Sequence, residues 1–266
     1  MTLFGFILGF VIFVGAIMHE TRSPALFFNP HGVLIVFGGS LAAAFAGFHF
    51  RELVRAVRSL KFIFKRVSEN PGKYIELFSD LAQKAHRGGL SAIEDDVNRL
   101  PSGFAKGGLD LLISGFGRDE IEDILDTQIE AMVLTDQSDS NLFRTMATLA
   151  PGFGLVGTLI GLIIMLTRLQ DISKVAPSMA TAMTATFYGV ILANLFFLPL
   201  SVKISRRLEN KTWLHQMIKS GVLMLYDKRH PLFVQEKLTA FVPGSQAGRA
   251  GKKGKDSGTQ SLTAKV

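Results

Sequence analysis

The 266-residue sequence predicts an all-α membrane protein: four transmembrane helices, a helical cytoplasmic domain inserted between the second and third, and a cytoplasmic C-terminal helix. Three observations predict it. Apolar residues make up 48% of the chain and charged residues only 19%, with a mean hydropathy of +0.30. Four apolar runs carry no charge, and crossing about 30 Å of hydrocarbon takes roughly 20 such residues as a helix. Basic residues crowd the segments that follow the second and fourth runs and are sparse in the short links, which fixes an orientation.

The first run, Leu3 to Met18, is preceded by no Lys or Arg and followed by no A-x-A site, so an uncleaved span is expected in place of a signal peptide. The link His19 to His31 leads to the second run, Gly32 to Phe48. Residues 49–66 then hold six Lys or Arg against one acid, Glu52. Leu53, Val57, Leu60, Phe64 and Val67 recur at spacings of four and three, so a helix continues inward from the second span until Pro71 and Gly72 stop it. Residues 67–145 carry fifteen acids against seven Lys or Arg, a composition suited to a folded acidic surface. Tyr74 to Ala85 and Asp119 to Leu134 read as amphipathic helices, with Gly88-Gly89, Pro101 and Gly107-Gly108 as breaks.

The third and fourth runs, Met146 to Leu166 and Val175 to Val202, flank the link Thr167 to Lys174. Beyond them, residues 202–240 hold eight Lys or Arg against three acids, whereas the short links carry only Arg22, Arg168 and Lys174. The large loop and both termini are therefore placed in the cytoplasm and the short links outside. Leu208, Leu214, Met217, Ile218 and Leu225 suggest another inward helix, and the Gly-, Ser- and Lys-rich tail is expected to be disordered. The expected divisions are 1–48, the first pair of spans; 49–145, the cytoplasmic loop; 146–202, the second pair; 203–242, the C-terminal helices; and 243–266, the basic tail.

Several chemistries are excluded. The chain has no cysteine, hence no disulfide, thiolate metal site or thiol nucleophile, and its six histidines form no metal-ligand spacing. No nucleophile, base and orienting group can be assembled, so an enzyme is not expected, nor a cofactor, a metal or a nucleic-acid partner. What the spans do contain is small residues: Gly5/Gly9 and Gly157/Gly161 as GxxxG pairs, and Ala182, Thr186, Gly189 and Ala193 as a stripe. Small residues let helices approach closely in lipid, and several such faces on one small chain suit a homo-oligomeric ring. The polar groups of the second pair are Thr148, Thr158, Thr181, Thr184, Thr186, Tyr188, Asn194 and Ser201. A threonine hydroxyl can coordinate a cation or bond back to its own helix.

The four spans contain no Asp or Glu. Cation pathways commonly pass a fixed intramembrane carboxylate, so either a partner helix supplies one or the spans are a scaffold. Pro151 and Pro199 each withhold a helix hydrogen bond, from the carbonyls of Ala147 and Leu195, at matching depths that point to a functional bend.

The stretch LAPGFGLVGTLIGLIIML (149–166), followed by ATAMTATFYGVILANLFFLPLSVKISRR (180–207), closely resembles the last two spans of the flagellar stator family of MotA and its sodium-type relative PomA, within the wider MotA, TolQ and ExbB superfamily. DEIEDILDTQIEAM (119–132) and HPLFVQEKLTAFVP (230–243) are similar to that family too, and two spans before the loop favour MotA over TolQ and ExbB. The resemblance implies a bacterial inner-membrane protein, five copies of which surround two copies of a single-span MotB/PomB-type partner whose helix carries the missing Asp. Flow of H+ or Na+ past that Asp would rotate the ring and drive the rotor protein FliG. By the same resemblance Pro151 and Pro199 match the functional prolines, and Thr158 and Thr186 match threonines of the sodium-type member, which inclines the ion toward Na+. Gly157, Gly161 and Gly189 would serve packing. The rotor-contacting charges carry over less well: Glu94 keeps its spacing from Gly89, but His86 stands where the family has Arg, leaving Arg87 one place late as the basic contact. An ExbB/TolQ-like or gliding-type motor subunit that energises another envelope process is the alternative. The basic tail from residue 243 would also meet anionic lipid near the membrane surface.

Overall fold

The computed structural model describes residues 2–20, 27–64, 70–167 and 169–242. The expectations for Arg22, for Lys65, Arg66 and Val67, for Arg168 and for the basic tail from residue 243 lie outside the described residues. Among the described residues the regular elements are all helical. They are α1 (Thr2–Glu20), α2 (Pro30–Gly47), α3 (Phe50–Phe64), α4 (Pro71–Gly88), α5 (Glu94–Asn98), α6 (Phe104–Ile113), α7 (Arg118–Leu166), α8 (Ile172–Ile191), α9 (Leu198–Tyr226) and α10 (Pro231–Phe241). Helix α2 contains a wide π-helical turn at Leu34–Gly38, and a second, Leu192–Phe197, joins α8 to α9. Three stretches, Pro30–Gly47, Arg118–Leu166 and Val175–Tyr226, are long and apolar enough to cross a membrane; α1 holds a shorter apolar run, Ile7–His19.

The chain forms two compact units. The first, Met1–Val67 with Val133–Leu208, has a core of Val36, Leu53, Leu142, Phe143, Met146 and Phe197. Asn29 caps α2, its side chain accepting from the Gly32 N–H at 3.2 Å, and Pro30 follows at the position where a missing N–H is harmless. Helix α3 buries Leu53 and Ala56, while Val57 is exposed.

The second unit, Ser68–Met132 with Glu209–Val266, is built on Phe78, Leu81, Leu109, Leu125, Met217 and Val222. Pro71 sits at N1 of α4, after an Asn70 cap, and so opens that helix. Helix α4 ends at Gly88, where Gly89 adopts φ +74°, a conformation that glycine takes at little cost. The Gly107-Gly108 pair, expected as a break, lies inside α6. A Cβ at Gly108 would stand 3.0 Å from Val222 and 3.4 Å from Leu125, so this glycine serves close packing, which outweighs its helix cost of about 1 kcal/mol. Lys219 on α9 donates to Asp126 at 2.8 Å and to Glu122 at 3.4 Å on α7. Helix α7 is one element of 49 residues, where the sequence suggested an amphipathic helix and a separate span. The intervening polar stretch remains helical because its side chains find partners, as described below.

Candidate functional site

Helices α7 and α8 touch along small residues. A Cβ built at Gly157 would stand 2.6 Å from the Ala185 Cβ, one at Gly161 2.6 Å from the Ala182 Cβ, and one at Gly189 2.6 Å from the Ala150 carbonyl and 3.1 Å from the Pro151 Cα. None of these approaches tolerates a larger residue without displacement. Gly154, which the sequence reading passed over, belongs to the same seam: its Cβ would lie 3.0 Å from the Thr186 Cα and 3.1 Å from the Ala185 carbonyl. Its spacing of three before Gly157 was the available signal. The Gly5/Gly9 pair behaves differently, since Gly5 has nothing within 4 Å and Gly9 meets only the end of Leu195.

Because the seam is tight, Thr158 on α7 and Thr186 on α8 bring their hydroxyls into direct hydrogen-bond contact. Thr158 also points to the Gly154 carbonyl at 3.2 Å and the Ala182 carbonyl at 3.0 Å, and Thr186 to the Gly154 carbonyl at 3.2 Å. Two hydroxyls hold two protons between them, so both can be spent on carbonyls or on each other while oxygen lone pairs remain free. Both side chains are half-buried, and the pair presents acceptor oxygens with no fixed charge. Two of the other polar side chains bond back to their own helix, Thr148 to the Arg144 carbonyl at 3.0 Å and Asn194 to the Val190 carbonyl at 3.0 Å.

Pro151 lies inside continuous α7. Pro199 follows the π-helical turn, in which the Leu198 N–H reaches back five residues to the Ala193 carbonyl. The bend expected of Pro199 thus coincides with a change of helical register.

Asn29 is a further residue that sequence reading missed. Its Nδ2 donates to the Thr181 carbonyl and to Thr184 Oγ1, both at 2.9 Å, and its N–H donates to the Tyr188 hydroxyl at 2.8 Å, which ties the start of α2 to α8. At the other end of this unit, α3 meets α7 through ions. Arg55 Nε donates to Asp139 at 2.8 Å, while Glu52 accepts from the His49 N–H at 3.0 Å and the Ser138 hydroxyl at 3.1 Å. Next to Asp139, Ser140 bonds the Ser201 carbonyl at 3.1 Å and the Ser205 hydroxyl at 2.7 Å. These partners keep the polar stretch 138–140 helical. Burial pushes the Asp139 carboxyl above the ordinary range despite Arg55, whereas the His49 N–H and then the Ser138 hydroxyl hold Glu52 below it.

Arg87, in the last turn of α4, and Glu94, opening α5, are both exposed on either side of the Gly89 turn. The structure forms no ion pair between them. His86 packs edge-on against His230, with ring centroids 5.7 Å apart. Among the described residues no group of three or more His, Cys, Asp or Glu could hold a metal.

The apolar run of α7 from Met146 and α8 thus form an acid-free pair, sealed by glycine and holding two facing hydroxyls. Residues 96–217 match the MotA/TolQ/ExbB proton channel family. Motility protein A of Borreliella burgdorferi is 32% identical over 217 residues, 82% of this chain and 84% of that protein. Chemotaxis protein PomA of Vibrio alginolyticus is 31% identical over 245 residues, 91% and 94% of the two chains. The structure of the flagellar MotAB stator complex from Bacillus subtilis contains a chain that superposes with a TM-score of 0.86 at 27% identity, covering 93% of this chain and 97% of that one. The chain belongs to the MotA/TolQ/ExbB proton channel family, a family of channel-type membrane subunits and not of enzymes.

Proposed function

We propose that the chain is an ion-driven stator subunit of the bacterial flagellar motor, forming with a single-span MotB/PomB-type partner a path that couples inward ion flow to rotation. The observation that carries the mechanism is the facing pair Thr158 and Thr186 in a span pair without any acid. Hydroxyl oxygens can replace part of a cation's hydration but cannot supply its counter-charge. The partner's intramembrane Asp supplies it, in keeping with the MotAB complexes whose chains this one resembles. Of H+ and Na+, two hydroxyl ligands beside a carboxylate favour Na+.

In this reading α1, α2 and the apolar parts of α7 and α8 are four spans of the inner membrane, with both termini cytoplasmic. The divisions are 1–48 for the outer pair, 146–202 for the pair lining the ion path, 49–145 and 203–242 for the cytoplasmic helices, and 243–266 for the tail. Five copies surround two of the partner, the seam of Gly157, Gly161 and Gly189 keeps α7 and α8 together, and bending at Pro151 and Pro199 follows the charge state of the partner's Asp. Exposed Arg87 and Glu94 face the rotor protein FliG. Each charge crossing about 100 mV releases roughly 2.3 kcal/mol, enough to bias a step against thermal motion.

The test is swimming speed of the host as external Na+ is varied at fixed pH, and again with an uncoupler. Dependence on either ion gradient, abolished in Thr158→Ala and Thr186→Ala with normal membrane levels of the protein, supports the reading. Normal swimming in both variants removes the hydroxyls from the pathway. Normal motility with loss of another envelope process in a deletion strain would instead favour the TolQ- or ExbB-like role.

A further inference from the structure

Helix α3 leaves the end of α2 with three distinct faces. Leu53 and Ala56 are buried against the first unit, and Arg55 is turned to Asp139. Phe50, Val54 and Val57 share a second face and are 67%, 41% and 61% exposed. Arg51 and Arg58, seven residues apart and so on one line of the helix, flank that apolar face and are exposed; neither forms an ion pair among the described residues. The apolar face is not isolated, because the Phe50 ring stacks on that of Phe45 in α2, with centroids 6.3 Å apart and planes 12° from parallel. Phe45 is itself exposed on a helix apolar enough to cross a membrane, so Phe50, Val54 and Val57 prolong a lipid-facing surface past the end of the span.

From this juxtaposition we propose that α3 is a binding site for anionic phospholipid of the cytoplasmic leaflet, with Phe50, Val54 and Val57 seated at the acyl boundary and Arg51 and Arg58 holding the phosphates. The proposal rests on the membrane orientation given above. The physics selects lipid as the occupant. An exposed apolar strip costs free energy in water, an arginine beside it cannot be buried against another apolar face without a counter-charge, and a headgroup region offers both an apolar floor and phosphate. Arginine suits phosphate in particular, since its planar fork donates two parallel hydrogen bonds to adjacent oxygens. The acidic composition of residues 67–145 is unsuited to this contact.

The chain contains no cysteine, so Val57→Cys takes a single environment-sensitive fluorophore on this face. The labelled stator, with its partner, is reconstituted into phosphatidylcholine vesicles with or without phosphatidylglycerol, and quenching by brominated lipid is compared with quenching by aqueous iodide. Lipid quenching that strengthens with phosphatidylglycerol, and a roughly tenfold or greater loss of that preference in Arg51→Gln/Arg58→Gln, are expected. Arg51→Lys/Arg58→Lys, which keeps the charge, restores most of it. Quenching by iodide alone in both vesicle types overturns the proposal, as does protection from both quenchers with cross-linking between copies, which would assign the face to a second copy. Failure of the protein to enter vesicles at all would instead contradict the membrane reading on which the proposal rests.

Discussion

The hydroxyl of Thr158 meets that of Thr186 across the α7–α8 seam, and each also lies 3.2 Å from the same carbonyl, that of Gly154. One backbone acceptor is thereby shared by side chains from two helices, which fixes the register of the pair as well as its chemistry. Thr158→Val or Thr186→Val keeps the shape and removes one hydroxyl. Since a single such hydrogen bond contributes about 1 kcal/mol, each variant should lose little thermal stability in detergent. Swimming speed should fall severalfold at limiting ion gradient, and an unaltered speed-versus-ion curve would speak against a role in the pathway.

Glycine at 189 is a steric requirement. Gly189→Ala would place a methyl 2.6 Å from the Ala150 carbonyl and 3.1 Å from the Pro151 Cα, both backbone atoms that cannot swing aside. A loss of about 1–3 kcal/mol is expected, whereas Gly5→Ala, with open space around it, should be neutral. Thermal unfolding of the two variants in one detergent compares them directly.

The Arg55–Asp139 pair predicts an asymmetry. Asp139 is buried and Arg55 is partly exposed, so Arg55→Ala strands a buried carboxylate and should cost about 2–3 kcal/mol at neutral pH, while Asp139→Asn leaves an acceptor for Arg55 and costs less. Burial raises the Asp139 carboxyl, so the folded state holds its proton more tightly than the unfolded chain does. Its contribution therefore weakens as pH rises from the ordinary carboxylate range through the raised value. Glu52, held low, acts with the opposite sign: it stabilises above the ordinary range, and that stability is lost as pH falls through its depressed value. Subtracting the unfolding profile of Asp139→Asn from that of the native chain should isolate a falling contribution; a rising one would refute the assignment.

Pro199→Ala would restore an N–H able to bond the Leu195 carbonyl and so compete with the wide turn Leu192–Phe197. Unfolding temperature should hold or rise while motility declines. Retained speed would show that the change of register is static.

Much of this was legible in the sequence because lipid imposes simple rules. Charge-free runs located the apolar parts of α2, α7 and α8, and the glycines of 157 and 161 pointed to the seam that the structure closes on Ala182 and Ala185. What stayed hidden depends on contacts distant along the chain. Gly107-Gly108 read as a break because local propensity is blind to Val222, more than a hundred residues away. The polar run 138–140 disguised a continuous α7, since only the fold brings Glu52, Arg55, Ser201 and Ser205 to satisfy it. Asn29 followed the same logic, since its hold on Thr181 and Thr184, more than a hundred residues away, is set only by the fold.

The central claim is that a ring whose spans lack a carboxylate borrows one from a partner, and native mass spectrometry of the complex from its own host, with the co-purifying chain sequenced, tests it most directly. The account predicts several copies of this chain with fewer copies of a single-span protein bearing an Asp within its span. A ring that carries ion-driven motility with no such acid in any associated chain would contradict it.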